Sequence, residues 1–140
     1  MTAARPLRAG ERHTATSRPI TRADLVRYAG ASEDFNPIHW SNRAATTVGL
    51  PGVIAHGMLT LARALAVLTD WIGDPSRLAA CEARFVRPVV VPDDDHGVAL
   101  TVTVDVLDVD ADGMTRVRLV ATLDGQEVLA DAHARIRPPL

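Results

Sequence analysis

The most regular apolar pattern in the 140-residue chain lies between Gly57 and Trp71. Apolar residues recur there at helical spacing and spread around most of the circumference, so we predict a helix that is buried on nearly all sides. At about 1.5 Å of rise per residue it would be about 22 Å long, enough to lie across a small sheet. Polar residues interrupt the run, which is also shorter than the roughly 20 residues of a membrane span.

The second half of the chain alternates apolar and polar residues with a period of two, which is typical of strands. The predicted strands are Leu78 to Val86, Val98 to Val106, Met114 to Leu123 and Val128 to Arg137, with a further one near Arg12 to Ser17. Turn residues separate them, and Asp124-Gly125 is a hairpin signal. We expect these strands to form an antiparallel meander.

The first half is predicted to hold two short helices around a bent loop. Thr21 followed three residues later by Asp24 is typical of a helix start, and this helix should end before Ser32. Ser41 is expected to cap the second helix. Between them, Pro37 biases the preceding residue away from helical geometry, which predicts a loop with a fixed bend.

A long apolar helix followed by four strands predicts an α+β fold in which a curved antiparallel sheet wraps around a central helix. The length favours a single domain over residues 1–140. Such a sheet leaves an edge that needs covering, so we expect the protein to form a dimer.

Composition excludes several classes of function. The 15 basic and 17 acidic residues give a net charge of −2 without a basic cluster, which argues against nucleic acid as a partner. No residue is lysine, which excludes Schiff-base chemistry on this chain. The single cysteine, Cys81, cannot form an internal disulfide, and no Cys/His spacing indicates a metal site. Met1 to Gly10 lacks the apolar core of an export signal, so we expect a cytoplasmic protein that does not enter the membrane.

The candidate chemistry is concentrated in two segments. Asp34 and His39 lie five residues apart across the bent loop, so their side chains can converge on one water molecule. A carboxylate beside an imidazole can take a proton from one atom and deliver one to another. Gly57 opens the buried helix, where free amides could stabilise a ligand oxygen. The same residues also suit a plain turn and a close contact between helix and sheet.

Asp34-Phe35-Asn36-Pro37-Ile38-His39, together with Ile54-Ala55-His56-Gly57-Met58, resembles the hydratase-2 motif of the MaoC-like, R-specific enoyl-thioester hydratase/dehydratase family. Within it, the chain most resembles the catalytic subunit of actinobacterial two-subunit (3R)-hydroxyacyl-ACP dehydratases. The resemblance implies a hot-dog fold, no cofactor, and reversible syn hydration of a trans-2-enoyl thioester.

By motif position, the resemblance implies that Asp34 and His39 are the catalytic pair. Asn36 would hold the loop and the pair in register. Apart from the resemblance, His56 is a candidate to set the helix entrance beside the substrate, and it equally suits a core histidine whose hydrogen bonds are satisfied. The Gly57 amide would bind the thioester carbonyl. Which of the pair takes the proton at Cα stays open, because both act on one water. A metal has little support.

Residues near the motif have weaker assignments. Arg63, Arg84 and Arg87 are candidates for contacts with the phosphates of CoA or a phosphopantetheine arm. Glu33 is expected to face solvent. We expect Trp40 to pack in the core under the short helix and Cys81 to be a small core residue.

The leading hypothesis is a hydro-lyase that dehydrates (3R)-3-hydroxyacyl thioesters carried by CoA or ACP. A hot-dog acyl thioesterase is an alternative, because its site would also use a carboxylate and a helix N-terminus. Another is an acyl-binding subunit of a heteromeric dehydratase. The protein partner would be a second copy in a homodimer or a related hot-dog subunit in a heterodimer.

Overall fold

The computed structural model describes residues 4–140, so residues 1–3 of the predicted domain lie outside the described range. The helices are α1 (Arg22–Ser32), α2 (Asn42–Thr47) and α3 (Gly57–Ile72), with 3-10 turns at Pro37–His39 and Pro75–Arg77. The strands are β1 (Arg12–Thr16), β2 (Leu78–Phe85), β3 (Thr101–Val109), β4 (Thr115–Leu123), β5 (Gln126–Glu127) and β6 (Leu129–Ile136). The α+β class is confirmed.

The strands form one antiparallel sheet in the order β1-β3-β4-β6-β2, with β5 paired to β4. The predicted meander is therefore correct only for β3, β4 and β6. β2 pairs with β6 at the far edge, where Leu78 lies opposite Ile136 and Phe85 opposite Leu129. The 15 residues 86–100 between β2 and β3 are too many for a tight hairpin, and β2 and β3 are not neighbours in the sheet.

Several element boundaries differ from the prediction by one to three residues, and two of them have a clear cause. α1 includes Ser32 and is terminated by its C-cap Glu33, whose left-handed φ of 60° breaks the helix. β3 begins at Thr101, because Val98 forms an isolated bridge with Ile20. Both differences lie at element ends, where a single hydrogen bond decides the boundary.

Local signals placed the starts of the short helices correctly. The Thr21 hydroxyl accepts from the Asp24 amide at 3.3 Å, and the Asp24 carboxylate accepts from the Thr21 amide at 3.0 Å. This reciprocal pair satisfies two amides at the start of α1. The Ser41 hydroxyl caps α2 by accepting from the Ala44 amide at 3.2 Å.

The core lies between α3 and the sheet. Ala64, Leu68 and Ile72 on α3 are fully buried, as are Val102 and Val117 on the sheet, and all belong to one apolar cluster. Because this cluster packs along the whole of α3, the first residue of the helix, Gly57, has a fixed position. Among the helices described, none combines the length and apolar character needed to span a bilayer.

Replacing Leu68 by alanine should lower the free energy of unfolding by about 2–5 kcal/mol, because a fully buried leucine leaves a cavity. Urea denaturation measures the loss. Leu107→Ala is the matched control, since Leu107 on β3 is 39% exposed, and its cost should stay within about 1 kcal/mol. Equal losses in the two variants would contradict the assignment of α3 to the core.

Candidate active site

The connection after α1 fixes the position of Asp34. The Asp34 amide donates to the Ser32 hydroxyl at 3.3 Å, and that hydroxyl donates back to the carbonyl of Tyr28 at 2.7 Å. The Asn36 amide donates to Oδ1 of Asp34 at 3.2 Å. The loop thus holds the Asp34 carboxylate in place, while the Asp34 side chain stays 49% exposed.

The bend after Asp34 is a single 3-10 turn, Pro37–His39. Oδ1 of Asn36 caps it by accepting from the Ile38 amide at 3.2 Å. The proline supplies a fixed φ at the start of the turn and gives up no hydrogen bond there. The turn buries His39, whose side chain is only 8% exposed.

Ile54 fixes the orientation of His39 through its backbone. The Ile54 amide donates to the carbonyl of Ile38 at 3.1 Å, and the Ile54 carbonyl lies 2.7 Å from Nδ1 of His39. Because a carbonyl can only accept, Nδ1 carries the proton. In the neutral ring, Nε2 is then left with a free lone pair.

The free nitrogen of His39 faces the carboxylate. Its Nε2 lies 3.8 Å from Oδ2 of Asp34. This is longer than a direct hydrogen bond and close enough for both atoms to contact the same small group. The carboxylate offers only acceptors, whereas the imidazole can accept a proton and later donate it. The pair can therefore exchange protons with a shared molecule.

His56 lies behind this pair and contacts both halves of it. Its ring stacks on that of His39 with centroids 3.8 Å apart, and its Nε2 donates to the backbone carbonyl of Asp34 at 3.2 Å. The ring of Tyr28 lies 4.8 Å from it. Burial lowers the pKa of His56 below the usual histidine range, so this ring is neutral at pH 7.

Gly57 is the first residue of α3, and no side chain among the described residues caps this helix. The first amides of a helix have no partner within the helix and carry partial positive charge. Gly57 lines two neighbouring cavities, of about 340 and 320 Å³. His39 lines the larger cavity, and Asp34 with His56 lines the smaller one. A ligand oxygen can approach the helix start from either side.

Comparisons with known proteins identify the family of this chain. Residues 7–122 match the family described as MaoC like domain. The chain belongs to this family.

Two curated relatives and one solved structure illustrate the family. 3-Hydroxyacyl-thioester dehydratase X of Mycobacterium tuberculosis is 44% identical over 73 residues, which are 52% of this chain and 25% of that protein. 3-Hydroxybutyryl-CoA dehydratase of Methylorubrum extorquens is 30% identical over 122 residues, 86% of this chain and 74% of the relative. The R-hydratase PhaJ1 of Pseudomonas aeruginosa superposes with a TM-score of 0.78 at 31% identity, over 95% of this chain and 83% of that one.

These matches confirm the predicted hot-dog fold and the resemblance to MaoC-like enzymes. The MaoC-like chain spans only about a quarter of the length of the M. tuberculosis relative. The 44% identity to that relative is confined to about half of this chain.

The same three side chains of this MaoC-like domain could hold a metal ion. Asp34, His39 and His56 each offer one ligand atom, and these atoms lie within 4.8 Å of one another. Nδ1 of His39 and Nε2 of His56 already donate to carbonyls, which leaves each ring one nitrogen for any other purpose. Nδ1 of His56 is buried and has no hydrogen-bond partner within residues 4–140.

The three candidate arginines have different surroundings. Arg63 pairs with Asp24 at 3.2 Å, and Arg84 pairs with Asp131 at 2.7 Å. Arg87 lines the larger cavity and donates to the carbonyl of Glu127 at 3.1 Å. Of the three, Arg87 alone contacts a cavity beside the candidate pair.

Two predictions about packing are wrong, and a third is confirmed. Trp40 is 58% exposed, because its indole Nε1 donates to the carbonyl of Phe35 at 3.0 Å and holds the ring over the loop. Cys81 is exposed because it lies on β2, which forms an edge of the sheet. Glu33 is exposed to solvent, as expected.

Sequence reasoning missed three contributors to the site. The Ile54 carbonyl left no sequence signal, since every residue has the same backbone acceptor. Tyr28 lies in α1, where one aromatic residue is equally typical of a helix that packs on a core. Phe85 lines both cavities from the end of β2. One signal was available for Phe85, because the chain has only two phenylalanines and this one lies near the end of the predicted strand Leu78 to Val86.

The neutral state of His56 makes stability depend on pH. Because burial lowers its pKa in the folded chain, the unfolded chain binds more protons here as the pH falls from about 7.5 to about 5.5. Folding stability should therefore decrease over this interval. His56→Gln keeps an N–H donor but does not titrate, so its unfolding free energy should decrease less than that of the wild type.

Urea denaturation at the two pH values measures this difference. His96→Gln is the matched control, because His96 is exposed and outside the site, and it should retain the wild-type dependence. If His56→Gln lost as much stability as the wild type, His56 would not be the neutral buried group described here.

Proposed function

We propose that this chain is a hydro-lyase that interconverts (3R)-3-hydroxyacyl thioesters and trans-2-enoyl thioesters. The observation that carries the proposal is the gap of 3.8 Å between Nε2 of His39 and Oδ2 of Asp34, beside the uncapped start of α3. The names of both curated relatives, a hydroxyacyl-thioester dehydratase and a hydroxybutyryl-CoA dehydratase, support this class of reaction.

Hydration needs two proton movements and one new bond between carbon and oxygen. A water molecule held by Asp34 and His39 loses a proton to one of them as its oxygen bonds to Cβ. A proton is delivered to Cα, so that the elements of water add across the double bond. Dehydration is the same sequence in reverse.

Negative charge builds up on the thioester oxygen during either direction. The Gly57 amide, at the positive end of the α3 dipole, is proposed to donate to this oxygen. Donors that are already in place contribute most when charge develops, because they need no reorganisation. Glycine suits this position because the backbone can be approached closely.

Asn36 and His56 are proposed to act mainly by holding the pair in place. The side-chain oxygen of Asn36 caps the turn that carries His39, and the backbone amide of Asn36 donates to the Asp34 carboxylate. His56 joins the backbone of Asp34 to the ring of His39. Asn36 and His56 are therefore proposed to position Asp34 and His39 beside the substrate.

The carrier is proposed to be CoA or an acyl carrier protein, and the protein partner a second copy or a related hot-dog chain. β2 forms one edge of the sheet, and most of its residues are exposed. It ends at Phe85, beside both cavities. A partner on this edge would enclose the site. The predicted cytoplasmic location stays a prediction.

Asp34→Asn and His39→Gln should each reduce the rate of crotonyl-CoA hydration by a factor on the order of 10²–10⁴, because each removes a proton-transfer group. Loss of enoyl absorbance measures the rate. Glu33→Gln and His96→Gln are matched controls, because Glu33 and His96 are exposed, and both should stay near the wild-type rate. Release of free CoA is followed in parallel with a thiol reagent.

Near-normal hydration by both site variants would refute the catalytic pair. Release of free CoA without hydration by the wild type would instead identify a thioesterase, the alternative considered from the sequence. Circular dichroism and thermal unfolding establish that each variant is folded.

The purified chain should have the mass of an assembly with at least two hot-dog domains, because the β2 edge is open. Light scattering measures the mass, and hydration is assayed on the same sample. If the chain alone is a monomer, activity should appear only with a related hot-dog subunit. A monomer with full activity on its own would contradict the proposal of a partner.

A further inference from the structure

Phe85 lies directly against the first residue of α3. Three carbons of its ring, Cδ2, Cε2 and Cζ, lie 3.1 Å from the position that a Cβ atom would take on Gly57. A Cβ atom here would force the ring to shift by a few tenths of an ångström, whereas glycine accommodates it as it stands. Phe85 is nevertheless 51% exposed, since it is the last residue of the edge strand β2.

The ring borders both cavities of the site. Phe85 and Gly57 are the two residues that line both of them. His39 contributes to the larger cavity, and Asp34 to the smaller one. A ligand that uses both cavities therefore contacts the ring and Gly57.

The chemistry of the walls indicates which part of a thioester each cavity takes. The larger cavity has mostly apolar walls, among them Ile54, Val89 and Val128, which suits an acyl tail. The smaller cavity has polar groups from Tyr28 and Ser32, which suit the amide groups of a pantetheine arm. This assignment rests on the proposed function.

The present position of the ring leaves little space for a thioester beside Gly57. The ring lies against the side of Gly57 where a Cβ atom would stand, at the start of α3, whose free amides are proposed to receive the thioester oxygen. In the single chain the ring has room to move, because half of it faces solvent and the strand ends here. Side chains of this kind change rotamer far faster than an enzyme turns over.

We propose that Phe85 is a movable wall that selects acyl groups by size. The thioester displaces the ring from Gly57, and a longer acyl group must displace it further. The ring forms part of the wall of the larger cavity beside Gly57, so in its present position it favours short acyl groups.

A graded series of substitutions tests this proposal in the full chain, together with its partner if one is needed. Phe85→Trp, Phe85→Leu and Phe85→Ala are assayed for hydration of crotonyl-CoA and of trans-2-octenoyl-CoA. The ratio of kcat/KM for the eight-carbon over the four-carbon substrate should rise about tenfold from wild type to Phe85→Ala, since space for a few methylenes changes. Phe85→Leu should be intermediate, and Phe85→Trp should fall below the wild type. Leu107→Ala on β3 should leave the ratio unchanged.

Binding distinguishes failure of this proposal from failure of the proposed function. The Kd values of S-butyl-CoA and S-octyl-CoA are measured by calorimetry for the same variants. If the wild type binds both thioethers but hydrates neither thioester, the hydro-lyase proposal fails, and a tenfold relative gain for S-octyl-CoA in Phe85→Ala still supports the movable wall. A ratio that stays within about twofold across folded variants, or no binding by any of them, would overturn it.

Discussion

The hydrogen bond of 2.7 Å between Nδ1 of His39 and the Ile54 carbonyl determines what the site can do. It fixes the tautomer of the ring and turns the free Nε2 toward Asp34. Ile54 can hold the ring because its neighbours are held in turn: the Ala55 amide donates to the Val89 carbonyl at 2.8 Å, and the Val91 amide donates to the Val53 carbonyl at 2.9 Å. One short segment therefore connects the bent loop to the core.

Local chemistry made much of the fold predictable, whereas strand pairing depended on distant partners. The capping pair of Thr21 and Asp24 and the hairpin at Asp124-Gly125 each follow from residues adjacent in sequence, and both turn residues have positive φ, 51° and 76°. The alternation in β2 indicated a strand but not its neighbour. Pairing with β6 at the far edge is set by the packing of the whole sheet over α3, which no local pattern reports.

In the site, too, some features were predictable from the sequence and others were not. The motif residues were identifiable because their side chains carry the chemistry and lie in a loop bent by proline. The contacts that orient them use the backbone carbonyls of Ile54 and Asp34. The sequence does not indicate these contacts, because every residue has the same backbone carbonyl. Trp40 was assigned wrongly because an aromatic residue near a short helix is as compatible with the core as with the surface, and its hydrogen bond to a loop carbonyl decides between them.

The most direct test of this account is the tautomeric state of the two stacked histidines. Long-range nitrogen–carbon-bound-proton NMR correlations, recorded where both imidazoles are neutral and assigned with His39→Gln, distinguish protonated from free ring nitrogens. We expect the proton on Nδ1 for His39 and on Nε2 for His56, because each of these nitrogens donates to a carbonyl. A His39 ring that carries its proton on Nε2 in the folded chain would contradict the account, since no lone pair would then face Asp34.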